Sequence, residues 1–271
     1  MKQNFTIEKW FEISFKILKR NWAEWIMISV VTSIILSAVF YFFVQEMGLL
    51  ILQAVREPED YRKILMDVGM KLGIFLFAFL VVLNFIDLFM IHISSQWYSE
   101  KRLTVEETVL KSLSAMPISI ILNIVYIIMA VIASFFCILP VILVITFFLF
   151  TFQALIIEDK GFSSFGRSVE LVKPNFGILI VLPFVIAIGL QMVNSTPIFF
   201  LQFFIESFMS QTISPDKSAK EILEYILKSP YLIIISAPSI FFLSLQSNLK
   251  SILYTVAFEQ IRMEQKPIGN T

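Results

Sequence analysis

The sequence has almost none of the side chains that form disulfides, zinc sites or a charged soluble surface. Its 271 residues include one cysteine, Cys137, and one histidine, His92, which excludes an intrachain disulfide and a zinc site of histidine and cysteine ligands. Only 15% of the residues are charged and the net charge is zero, so nothing indicates a nucleic-acid partner. No P-loop, H-E-x-x-H, G-x-S-x-G or G-x-G-x-x-G pattern occurs. We therefore predict no catalytic residue, no metal site and no cofactor.

Hydrophobic residues dominate the chain. They make up 58% of it, and the mean hydropathy of +0.83 implies more apolar surface than a soluble core can bury. Because lipid offers the backbone no water, apolar stretches of this kind must be helical. We predict an all-α integral membrane protein, a single polytopic domain over residues 1–271, whose N-terminal segment is retained rather than cleaved as a signal.

Six membrane spans are predicted from apolar runs of about twenty residues, the length that crosses about 30 Å of hydrocarbon. They are residues 25–44, 72–93, 118–135, 140–157, 176–194 and 231–258. Residues 112–157 carry no charge, which is too long for one span, so the chain must fold back between Phe136 and Pro140. Pro183 and Pro238 predict kinks in the fifth and sixth spans.

The distribution of basic residues predicts the orientation. With the N-terminus in the cytoplasm, fourteen of the 21 Lys and Arg residues lie on the cytoplasmic side and seven on the outer side. This excess predicts that both termini are cytoplasmic and that the protein resides in the cytoplasmic (inner) membrane.

A short amphipathic segment that leads into an apolar span occurs three times. The copies begin at Thr6, Thr104 and Ser163, and they align on Ser14, Ser112 and Ser168. In this register Asn21 matches Asn175, and Thr104 with Glu107 fits a capping box. We predict a threefold repeat of surface helix, span and span over residues 1–100, 101–159 and 160–262, followed by a tail, 263–271. Each segment is expected to form a cytoplasmic interfacial helix before its span.

Charged residues lie at the ends of the spans that return to the cytoplasmic side. The even-numbered spans end in Glu100, Glu158 and Glu259, each with a basic residue just beyond, and Arg167 follows in the third surface helix. We interpret these membrane-edge charges as salt links or anchors for the surface helices, in preference to catalytic carboxylates.

Asp87 is the least expected residue, because an ionisable group inside a span is costly and marks a pathway, a pairing or a water-filled cavity. Asn84 shares its helix face, and helical offsets place Lys250 within reach, directly or through Gln246. We favour structural pairing of Asp87 with Lys250 over a transport or proton-relay role. With Gln191, these residues form the candidate intramembrane polar cluster.

Residues 154–177, ALIIEDKGFSSFGRSVELVKPNFG, end a span in a glutamate, turn at a glycine and enter the next span through a helix. This run resembles a signature, A-x-x-x-S-x-x-L-x-x-x-N, of a broad group of bacterial and archaeal six-span membrane proteins. The group includes the membrane domain attached to some glycerophosphoryl diester phosphodiesterases. Because this chain lacks the soluble phosphodiesterase domain, the resemblance implies architecture and no activity.

Three classes of function remain open. A non-enzymatic scaffold or lipid-interacting protein is favoured by the surface helices, with membrane lipids as partners and a homo-oligomer or a partner membrane protein as further candidates. A transporter or permease component is the alternative, indicated by internal repetition and by Asp87 within a span. An intramembrane enzyme is the second alternative. A polar cavity lined by Asn84, Asp87, Gln191 and Lys250 would favour transport, whereas a bundle without a cavity would favour the scaffold.

Overall fold

The computed structural model describes residues 5–56, 61–100, 104–136, 138–191, 221 and 231–265, and within these ranges all regular structure is helical. The α-helices, in chain order, are α1 (Ile7–Arg20), α2 (Trp22–Arg56), α3 (Tyr61–Ser99), α4 (Val105–Ser134), α5 (Ile138–Phe147), α6 (Thr151–Ile157), α7 (Ser164–Val172), α8 (Phe176–Leu179), α9 (Leu182–Gln191) and α10 (Tyr231–Gln265). Two 3₁₀ turns, Gly161–Ser163 and Lys173–Asn175, flank α7. The all-α class is confirmed for this part of the chain.

Four helical stretches are long and apolar enough to cross a membrane. They are Trp22–Gly48, Met66–Ser99, Val105–Ser134 and Ile138–Ile157, and the bent pair Gly161–Leu179 and Leu182–Gln191 makes a fifth if it counts as one span. These helices indicate a membrane-embedded protein. The sixth predicted span lies within α10, which is not among the membrane-crossing candidates in the described ranges.

The predicted fold-back between the third and fourth spans is confirmed. Helix α4 ends at Ser134, α5 begins at Ile138, and the two helices pack against each other. Pro140 lies in the first turn of α5, where a missing backbone N–H removes no helical hydrogen bond.

The fifth span bends before Pro183 rather than at it. Helix α8 ends at Leu179, α9 begins at Leu182, and the two arms of the bent pair meet at 66°. Because Pro183 has no N–H to donate to the carbonyl four residues earlier, the helix that contains it starts anew next to it. Asn194, the predicted end of this span, lies outside the described residues.

The three amphipathic segments differ in how they join their spans. Helix α1 is capped by Thr6, whose hydroxyl accepts from the backbone N–H of Lys9 at 3.4 Å, and it is separated from α2 by Asn21. The capping box of Thr104 and Glu107 is confirmed, with both reciprocal hydrogen bonds present. However, the segment that begins there has no break before its span, and α4 runs on as one helix to Ser134. The expected separate surface helix is therefore absent from this segment, since none of its residues interrupts the helical hydrogen bonds upstream of Pro117.

The chain divides into two compact units, of which the first comprises residues 1–25, 84–191 and 247–271. Its core contains large, fully buried side chains, among them Trp10, Leu88, Leu122, Phe150, Leu171 and Phe258. The rings of Phe150 and Phe258 meet edge to face, with centroids 5.8 Å apart. Trp10 attaches α1 to this core, because its indole N–H donates to the Leu253 carbonyl at 2.9 Å.

The second unit comprises residues 26–83 and 192–246. In it, the ring of Phe43 on α2 stacks on the ring of Phe75 on α3, with centroids 3.6 Å apart. The hydroxyls of Thr32 and Ser244 hydrogen-bond and so connect α2 to α10.

Candidate functional site

A cavity of about 220 Å³ lies within the first unit, between α3, α4, α6 and α10. Its polar wall includes Asn84, Asp87, Asn123, Tyr126, Gln153 and Lys250. Isoleucine, leucine and phenylalanine side chains make the apolar wall. Three of the five residues of the predicted polar cluster, Asn84, Asp87 and Lys250, are thus brought together here.

The carboxylate of Asp87 is held by hydroxyl groups of α10. One of its oxygens accepts from Ser247 at 3.1 Å and from Ser251 at 3.2 Å. These two serines lie one helical turn apart on a single face of α10. Ser247 and Ser251 therefore keep a carboxylate within a span without an ion pair, because each hydroxyl donates to it directly.

Asp87 and Lys250 line the same cavity but do not form an ion pair in the described part of the chain. Their predicted pairing is not direct, because no ion pair within 4.0 Å joins them among the described residues. The Lys250 ammonium lies 5.9 Å from the ring centroid of Tyr254. Ser251, which contacts Asp87, is the next residue on α10, so the Lys250 side chain leaves the helix about 100° away from it.

Asn84 leaves a hydrogen-bond donor unused at the cavity. Its side-chain oxygen accepts from the Ser119 hydroxyl at 2.7 Å and from the Asn123 amide at 2.8 Å. Its side-chain nitrogen is buried and has no partner in the described part of the chain. Buried polar atoms without a partner are uncommon in native proteins, so this nitrogen is a candidate contact for a bound molecule.

Gln153, on α6, supplies a hydrogen-bond acceptor to the same cavity. Only 4% of the residue is exposed, and its side-chain oxygen is likewise buried without a partner within the described ranges. The cavity thus presents one unused donor, one unused acceptor and a carboxylate. The sequence assigned Asn84, Asp87 and Lys250 to the cluster, interpreted Gln153 only as an interhelical hydrogen-bonding group, and gave no role to Tyr126 or Tyr254. The spacing of Ser247, Ser251 and Tyr254 at i, i+4 and i+7 is the available signal.

The remaining two residues of the predicted cluster lie elsewhere. Gln191 is exposed at the end of α9 and does not line the cavity. Gln246 belongs to the second unit.

Each of the three membrane-edge glutamates contacts an arginine. Glu100 is paired with Arg20 at 2.6 Å, and both side chains are largely exposed. Glu158 receives two bonds from Arg167, at 2.7 and 3.1 Å, with side-chain exposures of 12% and 23%. Two parallel bonds to a shielded carboxylate make a stronger and more directional contact than a single exposed one.

Glu259 is the most deeply buried of the three, at 1% exposure. It accepts from the Ser95 hydroxyl at 2.9 Å and pairs with Arg262 at 2.5 Å. The Arg262 ion pair offsets the charge of the buried carboxylate, and the bond from Ser95 connects the ends of α3 and α10. In the described part of the chain, no group of three or more His, Cys, Asp or Glu side chains is placed to hold a metal ion.

Comparison with known proteins yields one match. A family model described as a domain of unknown function (DUF7847) matches residues 103–261, which is more than half of the chain. The matched region contains the α4, α6 and α10 walls of the cavity, whereas Asn84 and Asp87 on α3 precede it. Neither a curated protein nor a solved structure matches the chain.

Proposed function

The chain belongs to this family of domains of unknown function, and we propose a function from its own residues. In this proposal it is a non-enzymatic membrane protein, a transporter or permease component, that binds a small polar solute in the cavity. The observation that carries this proposal is the cavity around Asp87, with a carboxylate in the middle of an apolar helix. A span keeps such a group where it serves a pathway, a pairing or a hydrated space. A polar cavity is the feature that distinguishes transport from a scaffold role.

The chemistry of the walls restricts the solute. Asp87 and the Gln153 side-chain oxygen are hydrogen-bond acceptors, and the Asn84 side-chain nitrogen is a donor without a partner in the described residues. The volume of about 220 Å³ is below the range of about 300–1,000 Å³ for drug-sized ligands. A small amine suits these acceptors, since its ammonium group donates hydrogen bonds, and it would share the cavity with the ammonium of Lys250.

Methylammonium is a suitable probe for this site. Carbodiimide labelling of the purified full-length protein, read by peptide mass spectrometry, should modify Asp87, and methylammonium chloride should slow that modification several-fold relative to an equal concentration of sodium chloride. Proteoliposomes should take up radiolabelled methylammonium, and Asp87→Asn should abolish the uptake. Glu12→Gln, on the exposed face of α1, is the matched control. Equal labelling rates in the two salts would exclude an amine site at Asp87.

A lipid-interacting scaffold is the second candidate, and helix α1 supports it. Trp10, Ser14 and Ile17 bury one face of α1, while Phe11 and Phe15 remain 49% and 70% exposed. Exposed aromatic rings one turn apart on an amphipathic helix are typical of a segment that lies in the membrane interface. If this role is the main one, Phe11→Ser with Phe15→Ser will disturb cellular function while Asp87→Asn will not.

We further propose six spans in a threefold repeat, with both termini on the cytoplasmic side of the inner membrane. The serines that align the copies, Ser14, Ser112 and Ser168, are all buried. The matched asparagines have nearly the same backbone conformation, with φ −116° and ψ 23° at Asn21 and φ −115° and ψ 20° at Asn175. These equivalences support a repeat of register positions, although the second copy does not share the helix boundaries of the other two. We also propose that the protein is related to the six-span group that includes phosphodiesterase membrane domains.

A further inference from the structure

A second and larger recess lies in the first unit, near the ends of α3 and α10. This edge cleft has a volume of about 610 Å³, within the range of small-molecule sites. Helix α3 contributes a wall whose residues are spaced at i, i+3, i+4 and i+7, namely His92, Ser95, Gln96 and Ser99. The wall contributed by α4 has the same spacing and includes Lys111, Ser114 and Ile118. Two helices that turn polar faces toward one space, at the end of apolar spans, define a built recess rather than a gap in packing.

Two opposite charges in the edge cleft are kept apart. Lys111 lies on α4 and Asp159 follows α6, and both side chains line the cleft. Neither is in an ion pair in the part of the chain that the structure describes. Flexible opposite charges that share a recess without pairing are available to two ends of a ligand.

Arg262 adds a further donor to the basic side. Its terminal nitrogen is engaged by Glu259 at 2.5 Å, but its Nε is buried and has no partner within the described ranges. Because Glu259 is already occupied by Arg262 and by the Ser95 hydroxyl, the acidic group left for a ligand is Asp159. The cleft therefore offers two cationic donors and one carboxylate.

We propose that the edge cleft binds a phosphate ester that also carries a primary ammonium group, the chemistry of an aminoethyl phosphate. The phosphate accepts hydrogen bonds from Lys111 and from Arg262 Nε, and the ammonium donates to Asp159. Leu155, Ile156 and Ile157 supply an apolar wall beside these groups, where the glycerol and the first acyl carbons of a phospholipid would lie. The same chemistry is present in a bilayer phospholipid headgroup and in the free phosphate ester. This inference does not depend on the solute site at Asp87.

Calorimetric titration of the detergent-solubilised full-length protein tests the proposal. The probes are the dihexanoyl forms of phosphatidylethanolamine, phosphatidylcholine and phosphatidylglycerol, and free aminoethyl phosphate. We expect phosphatidylethanolamine to bind about tenfold more tightly than the other two lipids, because only its headgroup donates N–H bonds to Asp159. Asp159→Asn should remove this preference, and Lys111→Gln should weaken binding of all three lipids by about tenfold.

The controls are charge changes of the same kind outside the cleft. Lys173→Gln and Glu106→Gln remove one exposed charge of each sign outside the cleft lining and should leave all affinities unchanged. Lys111 and Asp159 are exposed, so their variants should fold, which circular dichroism checks. Free aminoethyl phosphate that binds as tightly as the lipid would identify the soluble ester as the ligand, whereas binding of the lipid alone would identify the bilayer. Equal affinities for the three lipids, or a preference that survives Asp159→Asn, would overturn the proposal.

Discussion

Ser168 supplies the hydrogen bonds that stabilise the break between α5 and α6. Its hydroxyl donates to the Phe147 carbonyl at 2.8 Å and accepts from the Phe150 N–H at 3.0 Å. Residues 148–150 interrupt the helix in the middle of an apolar stretch, where no water is present to satisfy the backbone. Ser168 and Phe150 are both fully buried. Replacing Ser168 by alanine therefore leaves a buried N–H and a carbonyl without this partner.

The expected cost follows from these two bonds. A side-chain hydrogen bond in a membrane protein contributes about 0.6 kcal/mol on average. A buried donor left without a partner costs about 1–3 kcal/mol. We therefore expect Ser168→Ala to lower the free energy of unfolding by about 2–3 kcal/mol. Titration of the micellar protein with SDS, followed by circular dichroism, measures this difference.

Ser14 provides a matched comparison, since it occupies the same register position in the first copy of the repeat. It is also buried, but its hydroxyl has no hydrogen-bond partner in the described part of the chain. Removing an unsatisfied buried hydroxyl costs nothing in hydrogen bonding, so Ser14→Ala should leave stability unchanged or raise it by about 1 kcal/mol. The reasoning is refuted if the two alanine variants are equally stable, or if Ser168→Ala lies within about 0.5 kcal/mol of the wild type.

The remaining predictions concern an ion pair and a tryptophan, both measured in the same unfolding assay. Glu158→Gln should lower the free energy of unfolding by about 1–3 kcal/mol, because the carboxylate is shielded and receives two bonds from Arg167. Glu100→Gln should lower it by less than about 0.5 kcal/mol, because its ion pair is exposed. Equal losses in the two variants would contradict the role of shielding. Trp10→Phe should cost about 1 kcal/mol through loss of the bond to the Leu253 carbonyl. An unchanged stability would show that packing alone attaches α1.

Composition and proline positions account for much of the helical layout. The hydrophobic excess predicts helices in lipid, and the fold-back near Pro140 follows from a length that no bilayer holds. The continuity of α4 could not be predicted, because Pro117 is a helix breaker by type yet lies inside this helix. The bend before Pro183 shows the same limit, since proline predicts an interruption but not the residue at which it falls.

For the candidate site, the sequence predicts the depth of each residue along its helix but not which face of the helix meets the neighbouring helix. Counting residues places Asp87 and Lys250 at similar depths, and both do line one cavity. Which face of α10 meets Asp87 is decided by side-chain packing around the helix, and a difference of one residue turns that face by about 100°. For this reason Ser247 and Ser251, rather than Lys250, contact the carboxylate. Gln153 was not assigned to the cluster because α6 begins after a break that no charge or proline marks.

The cavity and the edge cleft lie along the same helices and share no lining residue. On α4, Leu122 lies between the residues that line the cleft and those that line the cavity, and on α10 Phe258 has the same position. Both side chains are fully buried. The two proposals therefore rest on different residues, and a negative result at Asp87 does not contradict lipid binding at Lys111 and Asp159.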